Sequence, residues 1–448
     1  MVTGLLIGSC ARPDPEPAPA PAESPPIVAR PVEPARRAPA WAPGERDSTP
    51  RDSAPIDAAR SPAVPAFDPG PDVRIGLVTG SASITIGGGA AVRASSGPTA
   101  ITIPAGTAWR AVREGTGVVL VGPGGVRPPA AAAFTLAPRV PGEFVRVGTR
   151  DYRGTVVLAP ARSGLSAINE VGLEEYLQSV VGGELGRRAP DEIEAVRAQA
   201  IVSRTYALRN RGRWRAQGFD YNATVADQVY FGVNAENPLS RQAVAETRGI
   251  AVTWGGEPID AFFYSTCGGR TEQGTEVFRG AVRPYLRSVP DASPSGAAWC
   301  AISPRYEWRE TWTGPALREA LRRYLPPEAA VPASRVTRIR DVRIADRTVS
   351  RRVRTLVVSL PDGDVLVESP SIREALRPTS GEILRSTAFS LRVTHAGGEV
   401  ARLEVDGHGA GHGVGFCQWG AVGRARAGHR HGDIIAAYYP GTRLERLY

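Results

Sequence analysis

Residues 171–186 read VGLEEYLQSVVGGELG, and residues 190–210 read PDEIEAVRAQAIVSRTYALRN. In the first stretch Leu173, Tyr176, Leu177, Val180 and Val181 recur at helical spacing and fall on one stripe. Gly182 and Gly183 weaken that helix just ahead of Glu184. The second stretch opens at Pro190, a residue suited to a first helical turn, with Asp191 and Glu192 facing the positive helix end. It continues for about twenty residues, roughly 30 Å. Ala, Ile and Val lie all round its circumference, which predicts a central helix packed on several sides.

Working outward from these helices, the upstream pattern has period two. Val73/Ile75/Leu77, Ile84/Ile86 and Ile101/Ile103 alternate between Gly-rich turns, and Val118–Val121 and Phe144–Val147 continue the series. Residues 73–155 are therefore predicted as a small, mostly antiparallel β module with a supporting or wall-binding role. Downstream, Ile259–Phe263 reads as a strand running into STCGGRTE, and 313–325 as an amphipathic helix capped by Thr313. Strands are predicted at 336–346, 351–360 and 364–368, the last two joined by the turn Asp362-Gly363. The end, GHGAGHGVGFCQWGAVGRARAG, is a Gly-rich loop entering a helix. The fold class is α+β, with a mixed sheet-and-helix body over 156–448 that contains a helix-plus-hairpin subregion at 301–395.

At 448 residues, 42% of them hydrophobic and 22% charged, the chain can bury a core and is not wholly disordered. No apolar run is long enough to span a membrane. All 54 basic residues are Arg, as codon bias in a GC-rich genome would give. Residues 11–72 carry a net charge of −3 within an overall +9, leaving the remainder basic and suited to an anionic partner such as acidic glycan or cell wall. No basic cluster is interleaved with aromatics, so no nucleic-acid module is predicted.

Residues 1–10, MVTGLLIGSC, form a short apolar run ending in small residues before Cys10, as a lipoprotein signal requires, although the basic n-region is missing. Either Cys10 is lipidated, the start codon lies elsewhere, or this is an ordinary terminus. Residues 11–72 contain 17 prolines and read as a disordered, semi-rigid Pro/Ala linker. Together they predict an extracytoplasmic protein held to a membrane by a lipid anchor.

Chemistry has few carriers. The five histidines all lie after residue 394, and Cys267, Cys300 and Cys417 make an odd set once Cys10 is set aside. One disulfide with a free thiol, three buried thiols, or a structural zinc held by Cys267, Cys300 and Cys417 with His408 or His412 are the alternatives. Ser265-Thr266-Cys267-Gly268-Gly269 has the look of a nucleophile turn, for which the distant His412 is the candidate base. Gly411-His412-Gly413 hems its histidine too closely for a helical core position. The prediction is a loop that presents His412, Gln418 and Trp419 to a substrate, with Trp419 either stacking on a sugar face or plugging the core.

GLEEYLQSVVGGELG, EIEAVRAQAIVSRTYAL, DQVYFG, FFYSTCGGRTE, PYLRSVPD and GHGVGFCQWGA occur in this order. Together they resemble the stage II sporulation protein D / LytB family over residues 155–448. The resemblance implies action on peptidoglycan. Sporulation members are lytic transglycosylases that cut glycan strands stripped of stem peptides, and LytB is described as an enhancer of a wall amidase. It places the catalytic carboxylate on Glu184 and requires no cofactor. The family's tendency to bind metal near its CGG loop would touch Cys267, with Arg270 where some members carry His.

The residues around Glu184 suit that role. A leaving sugar oxygen needs a proton, and a lytic transglycosylase can use one carboxyl where ordinary glycosidases use two, because the sugar's own C6 hydroxyl attacks. Such a carboxyl must start protonated, and Val180, Val181, Gly182, Gly183 and Leu185 provide an apolar setting. The two glycines would let a saccharide approach the backbone, whereas Arg187 and Arg188 are the partners if Glu184 is merely an exposed acid. Arg204, Tyr206, Asp227 and Gln228 could line the saccharide groove or serve the fold. Glycan cleavage, non-catalytic glycan binding that stimulates an amidase, and a metal-dependent hydrolase are the competing functions.

Overall fold

The computed structural model describes residues 68–448 except 279, 281, 326–328 and 330. Cys10 and most of the Pro-rich linker lie outside the described residues. Residues 68–72, assigned to that linker, belong to the body: the carbonyls of Pro69 and Pro71 accept the Glu174 and Leu173 amides, and Asp68 pairs with Arg248.

The predicted period-two segments are strands, and Val73, Ile75, Ile84, Ile86 and Ile103 point inward. They do not close into a module ending at 155. A seven-stranded sheet runs in the order 221–222, 72–81, 165–172, 155–160, 134–138, 92–96, 99–103. The strand 165–172 pairs antiparallel with both 72–81 and 155–160, so the anticipated boundary cuts through a continuous sheet. A five-stranded sheet, 117–121, 108–114, 83–87, 145–147 and 150–152, shares its core.

The first helix, α1 (Leu173–Leu185), follows the last long strand directly, with Glu174 and Glu175 in its first turn. Leu173, Tyr176, Leu177, Val180 and Val181 are fully buried, as the periodicity predicts. It ends at Gly186, whose positive φ of 67° lets its amide bond back to the Gly182 carbonyl. A short 3-10 turn at Pro190–Glu192 leads into α2 (Ile193–Asn210). Val196, Ala200 and Ala207 of α2 belong to the β-sheet core, and Ala195, Ala198, Ile201 and Val202 to a second core. The central helix predicted from its all-round apolar surface thus divides two hydrophobic clusters. α3 (Pro238–Glu246) starts at an Asn237 cap and packs against both earlier helices.

Ile259–Phe263 is not a strand. Its chain folds tightly at Asp260, whose carbonyl accepts the Phe262 amide, and the Asp260 carboxylate holds Arg283 and Tyr285. Only Phe263–Tyr264 pairs, in parallel, with Phe416–Cys417. α4 (Gly314–Tyr324) has the Thr313 cap. The strands 341–347, 353–360 and 363–368 form one antiparallel sheet, the first beginning late because Ala333–Arg335 is a 3-10 turn. With α4, the short α5 (Ile372–Ala375) and the strands 307–313, 389–396 and 399–408, they enclose a third core. The chain closes with α6 (Gln418–Arg426) and α7 (His431–Tyr438), both packed on α2. Among the described residues no helix is long and apolar enough to cross a membrane.

Candidate functional site

Glu184, in the last turn of α1, lines a groove of about 1370 Å³. Its walls come from places distant in sequence: the end of α1, Val225, the Phe263–Ser265 segment, Pro304–Arg305, α5 and the stretch following it, Ala410–Gly411, and α6 from its first residue. Gly183 also lines it, whereas Gly182 faces away, where a Cβ would lie 2.0 Å from the Ala235 carbonyl oxygen. So only one of the two glycines opens the backbone to a ligand; the other permits α1 to pack.

The Glu184 carboxyl is largely buried. One oxygen accepts the Val229 amide at 3.2 Å and the other the Gln418 side-chain amide at 3.4 Å. Burial raises its pKa, and these two donors, which favour the carboxylate, offset only part of that rise. Arg187 and Arg188 do not neutralise it. Arg188 donates to the Leu185 carbonyl and lies over the Trp419 ring, 4.6 Å from its centroid. Among the described residues no cation is within ion-pair distance of Glu184.

Of the candidate site residues, Ser265 and Gln418 line the groove, and Trp419 lines it as well while packing against the second core. The others serve the fold. Arg204 is wholly buried in a two-pronged ion pair with Glu174, at 2.6 and 2.8 Å, and also donates to the carbonyls of Val244 and Ile250. Tyr206 is buried, its hydroxyl beside Asp227, and burial pushes its pKa up to about 12. Asp227 accepts from Trp214, Arg213 and the Asn222 amide, which fastens the turn carrying Val229. Gln228 is buried between the Tyr176 hydroxyl and the Ser203 carbonyl. Thr266 is buried and bonds the Ser303 hydroxyl.

His412 is likewise withdrawn. Its Nε2 faces the Phe263 carbonyl at 3.0 Å and its Nδ1 accepts the Val414 amide at 3.1 Å, among the rings of Phe262, Tyr264 and Phe278. Burial lowers its pKa to about 4. With both nitrogens engaged it offers no base to Ser265 or Cys267, and Cys267 itself is buried, so the nucleophile-turn reading finds no machinery here.

The three cysteines do converge. The Sγ atoms of Cys267, Cys300 and Cys417 and a carboxylate oxygen of Asp291 all lie within 4.8 Å of one another, and all four residues are buried. No pair is in disulfide linkage. His408, the predicted fourth partner, is elsewhere: it is exposed, with its Nε2 3.8 Å from Glu307. Asp291 stands in its place. This donor set, three sulfurs and a carboxylate oxygen in a dry pocket, fits a tetrahedral zinc.

Sequence reasoning missed Arg305, Arg373 and Arg385, which join Arg188 on the groove wall, and Glu382 opposite in charge. Burial lowers the Arg373 pKa to about 10.

Comparison with known proteins places the chain in a family. The stage II sporulation protein family matches residues 161–254, the segment holding α1 and α2, and a domain of unknown function matches 298–415. Stage II sporulation protein D of Bacillus subtilis is 30% identical over 313 residues, covering 66% of this chain and 81% of that protein. An uncharacterized protein of Brachyspira hyodysenteriae is 30% identical over 296 residues, 65% of this chain and 72% of its own. The amidase enhancer of Bacillus subtilis is 27% identical over 294 residues, 60% of this chain and 40% of that protein. With most of a sporulation protein D sequence matched at this identity, the chain belongs to the stage II sporulation protein D family.

Proposed function

We propose that the protein acts on the cell wall and cleaves peptidoglycan glycan strands by lytic transglycosylation, with Glu184 as general acid and then general base. The carrying observation is the state of Glu184: a partly shielded carboxyl on a groove, raised in pKa, with no ion-pair partner among the described residues. The protonated acid gives its proton to the glycosidic oxygen as the bond from the muramyl C1 breaks. The same sugar's C6 hydroxyl then bonds to C1 and returns a proton to the Glu184 carboxylate, closing a 1,6-anhydro ring. No water is consumed and no second carboxyl is needed.

The groove's arginines support a substrate preferably free of stem peptides. Removing the peptide leaves a lactyl carboxylate on each muramyl residue, and Arg188, Arg305, Arg373 and Arg385 supply matching charge along the wall. Incubating the protein with peptide-free strands should yield anhydro-muramyl ends detectable by mass, and Glu184→Gln should yield none. If both forms bind the strands and neither cuts, the cleavage reading fails.

A second reading rests on the likeness to an amidase enhancer. There the same groove holds glycan without cutting it and stimulates a wall amidase as partner. Acceleration of an N-acetylmuramoyl-L-alanine amidase by both wild type and Glu184→Gln would favour it. Lipid anchoring through Cys10 and an extracytoplasmic location complete the proposal, and replacement of Cys10 by Ser should release the protein from membranes.

A further inference from the structure

The four buried donors beneath the groove carry an inference independent of the cleavage reading. We infer that Cys267, Asp291, Cys300 and Cys417 bind one zinc ion, and that this ion clamps the segments presenting Ser265 and Gln418 to the groove.

Zinc–sulfur bonds of about 2.3 Å in a tetrahedron put neighbouring sulfurs somewhat under 4 Å apart. Cys267 Sγ lies 3.3 Å from Cys300 Sγ and 3.1 Å from Asp291 Oδ2, and the whole set spans no more than 4.8 Å. The backbone is turned to suit thiolates. The Gly269 amide points at Cys267 Sγ (3.2 Å), and the amides of Cys267 and Gly420 point at Cys417 Sγ (3.2 and 3.3 Å). A sulfur accepting amide bonds is stabilised as an anion, which is the form a metal needs.

Charge gives a second, separate argument. Zinc with three thiolates and one carboxylate carries a net charge of −2. Two arginines approach this cluster. Arg424 donates to Asp291 Oδ1 at 3.0 Å, leaving Oδ2 directed at the sulfurs. Arg352, 2% exposed, donates to the Cys267 carbonyl at 2.6 Å, while its Nε and Nη1 have no hydrogen-bond partner. With neutral thiols the second buried cation would face no compensating charge in the cluster. With the metal complex the two arginines balance it.

The position gives the consequence. Cys417 immediately precedes Gln418, which donates to Glu184, and Cys267 follows Ser265 by two residues. Cys300 and Asp291 come from a separate segment that packs under α6, where a Cβ on Gly423 would meet the Trp299 carbonyl oxygen at 2.1 Å. One ion would add a single joint to three stretches of chain that already share backbone bonds, Tyr264 pairing with Cys417 and the Asp291 amide donating to the Gly269 carbonyl.

The test uses the full chain, purified without chelator after growth with zinc. About one zinc per chain by elemental analysis is expected, with none of the three thiols reacting with a thiol reagent until a mercurial releases the metal. Cobalt exchanged into the site should show the intense near-ultraviolet charge-transfer band of thiolate ligation. Asp291→Asn should retain the fold, seen by circular dichroism, but lose zinc to a chelator at least tenfold faster. Three thiols free to react in metal-free folded protein, or a mass lower by two hydrogens from a disulfide, would overturn the assignment. Neither result depends on whether Glu184 cuts glycan.

Discussion

Gln418 donates its side-chain amide to Glu184 at 3.4 Å across 234 residues of sequence, so the start of α6 holds the acid at the end of α1. The amide favours the carboxylate form and thereby opposes the rise in pKa that burial imposes. Gln418→Leu removes a donor, so the Glu184 pKa should climb further. The high-pH limb of the pH–rate profile on peptide-free strands should then move to higher pH. The rate should fall about tenfold, the loss of roughly one hydrogen bond in the transition state. An unmoved limb would mean that Gln418 does not act through Glu184.

Replacing Glu184 by Gln should abolish cleavage, a loss of at least the roughly 10²–10⁴-fold that general acid–base work provides, without loss of fold. The stability effect has a definite sign. Because the folded pKa lies above the unfolded one, the neutral form is favoured on folding, and wild type loses stability as pH rises from the unfolded carboxyl range through the folded pKa. Glu184→Gln lacks that loss. Thermal melts of the two proteins should therefore diverge toward alkaline pH, with the variant higher, and converge in acid.

These residues were unequally legible in sequence. The helix before Glu184 was legible because five apolar residues recur at helical spacing, and α1 buries all five; the role of Glu184 itself came from the family resemblance of its segment, since local sequence suits an exposed acid equally. The groove's Arg305, Arg373 and Arg385 lie more than a hundred residues from it, and nothing local separates them from the other arginines of an Arg-only basic complement. Arg204 and Gln228 were read as equally suited to groove or core, and depth decides that question, which periodicity does not report. The odd thiol count left a disulfide, buried thiols and a metal site open alike, and Asp291, which lies against the three sulfurs, had no spacing to betray it. The strand predicted at Ile259–Phe263 failed because Asp260 bonds its neighbours' side chains and turns the chain, overriding a β-forming run.

His412 makes the acid limit of stability predictable. The unfolded histidine titrates near 6.5, but in the folded chain burial holds it neutral to about pH 4. The unfolded state therefore binds the extra proton first. Stability present above pH 6.5 should be lost progressively between 6.5 and 4, by at most about 3 kcal/mol. His412→Gln should flatten this slope in denaturant titrations across that window. Because His412 stands behind the groove, the variant should leave the pH–rate profile of glycan cleavage in place.

Arg204 and Glu174 provide the sharpest separation of fold from site. Both side chains are wholly buried, and Glu174 also accepts from the Gly249 amide and the Tyr448 hydroxyl. Arg204→Met leaves that carboxylate without its cation and should cost roughly 3–5 kcal/mol, as breaking a buried pair does. Thermal unfolding would show it as a large drop in Tm. Combining it with Glu174→Leu removes both charges, and the double variant should recover part of the loss, though the Gly249 amide remains unpaired. At a temperature where the double variant is folded, its glycan affinity should match that of wild type. A selective loss of glycan binding there would return Arg204 to the saccharide groove and contradict its burial.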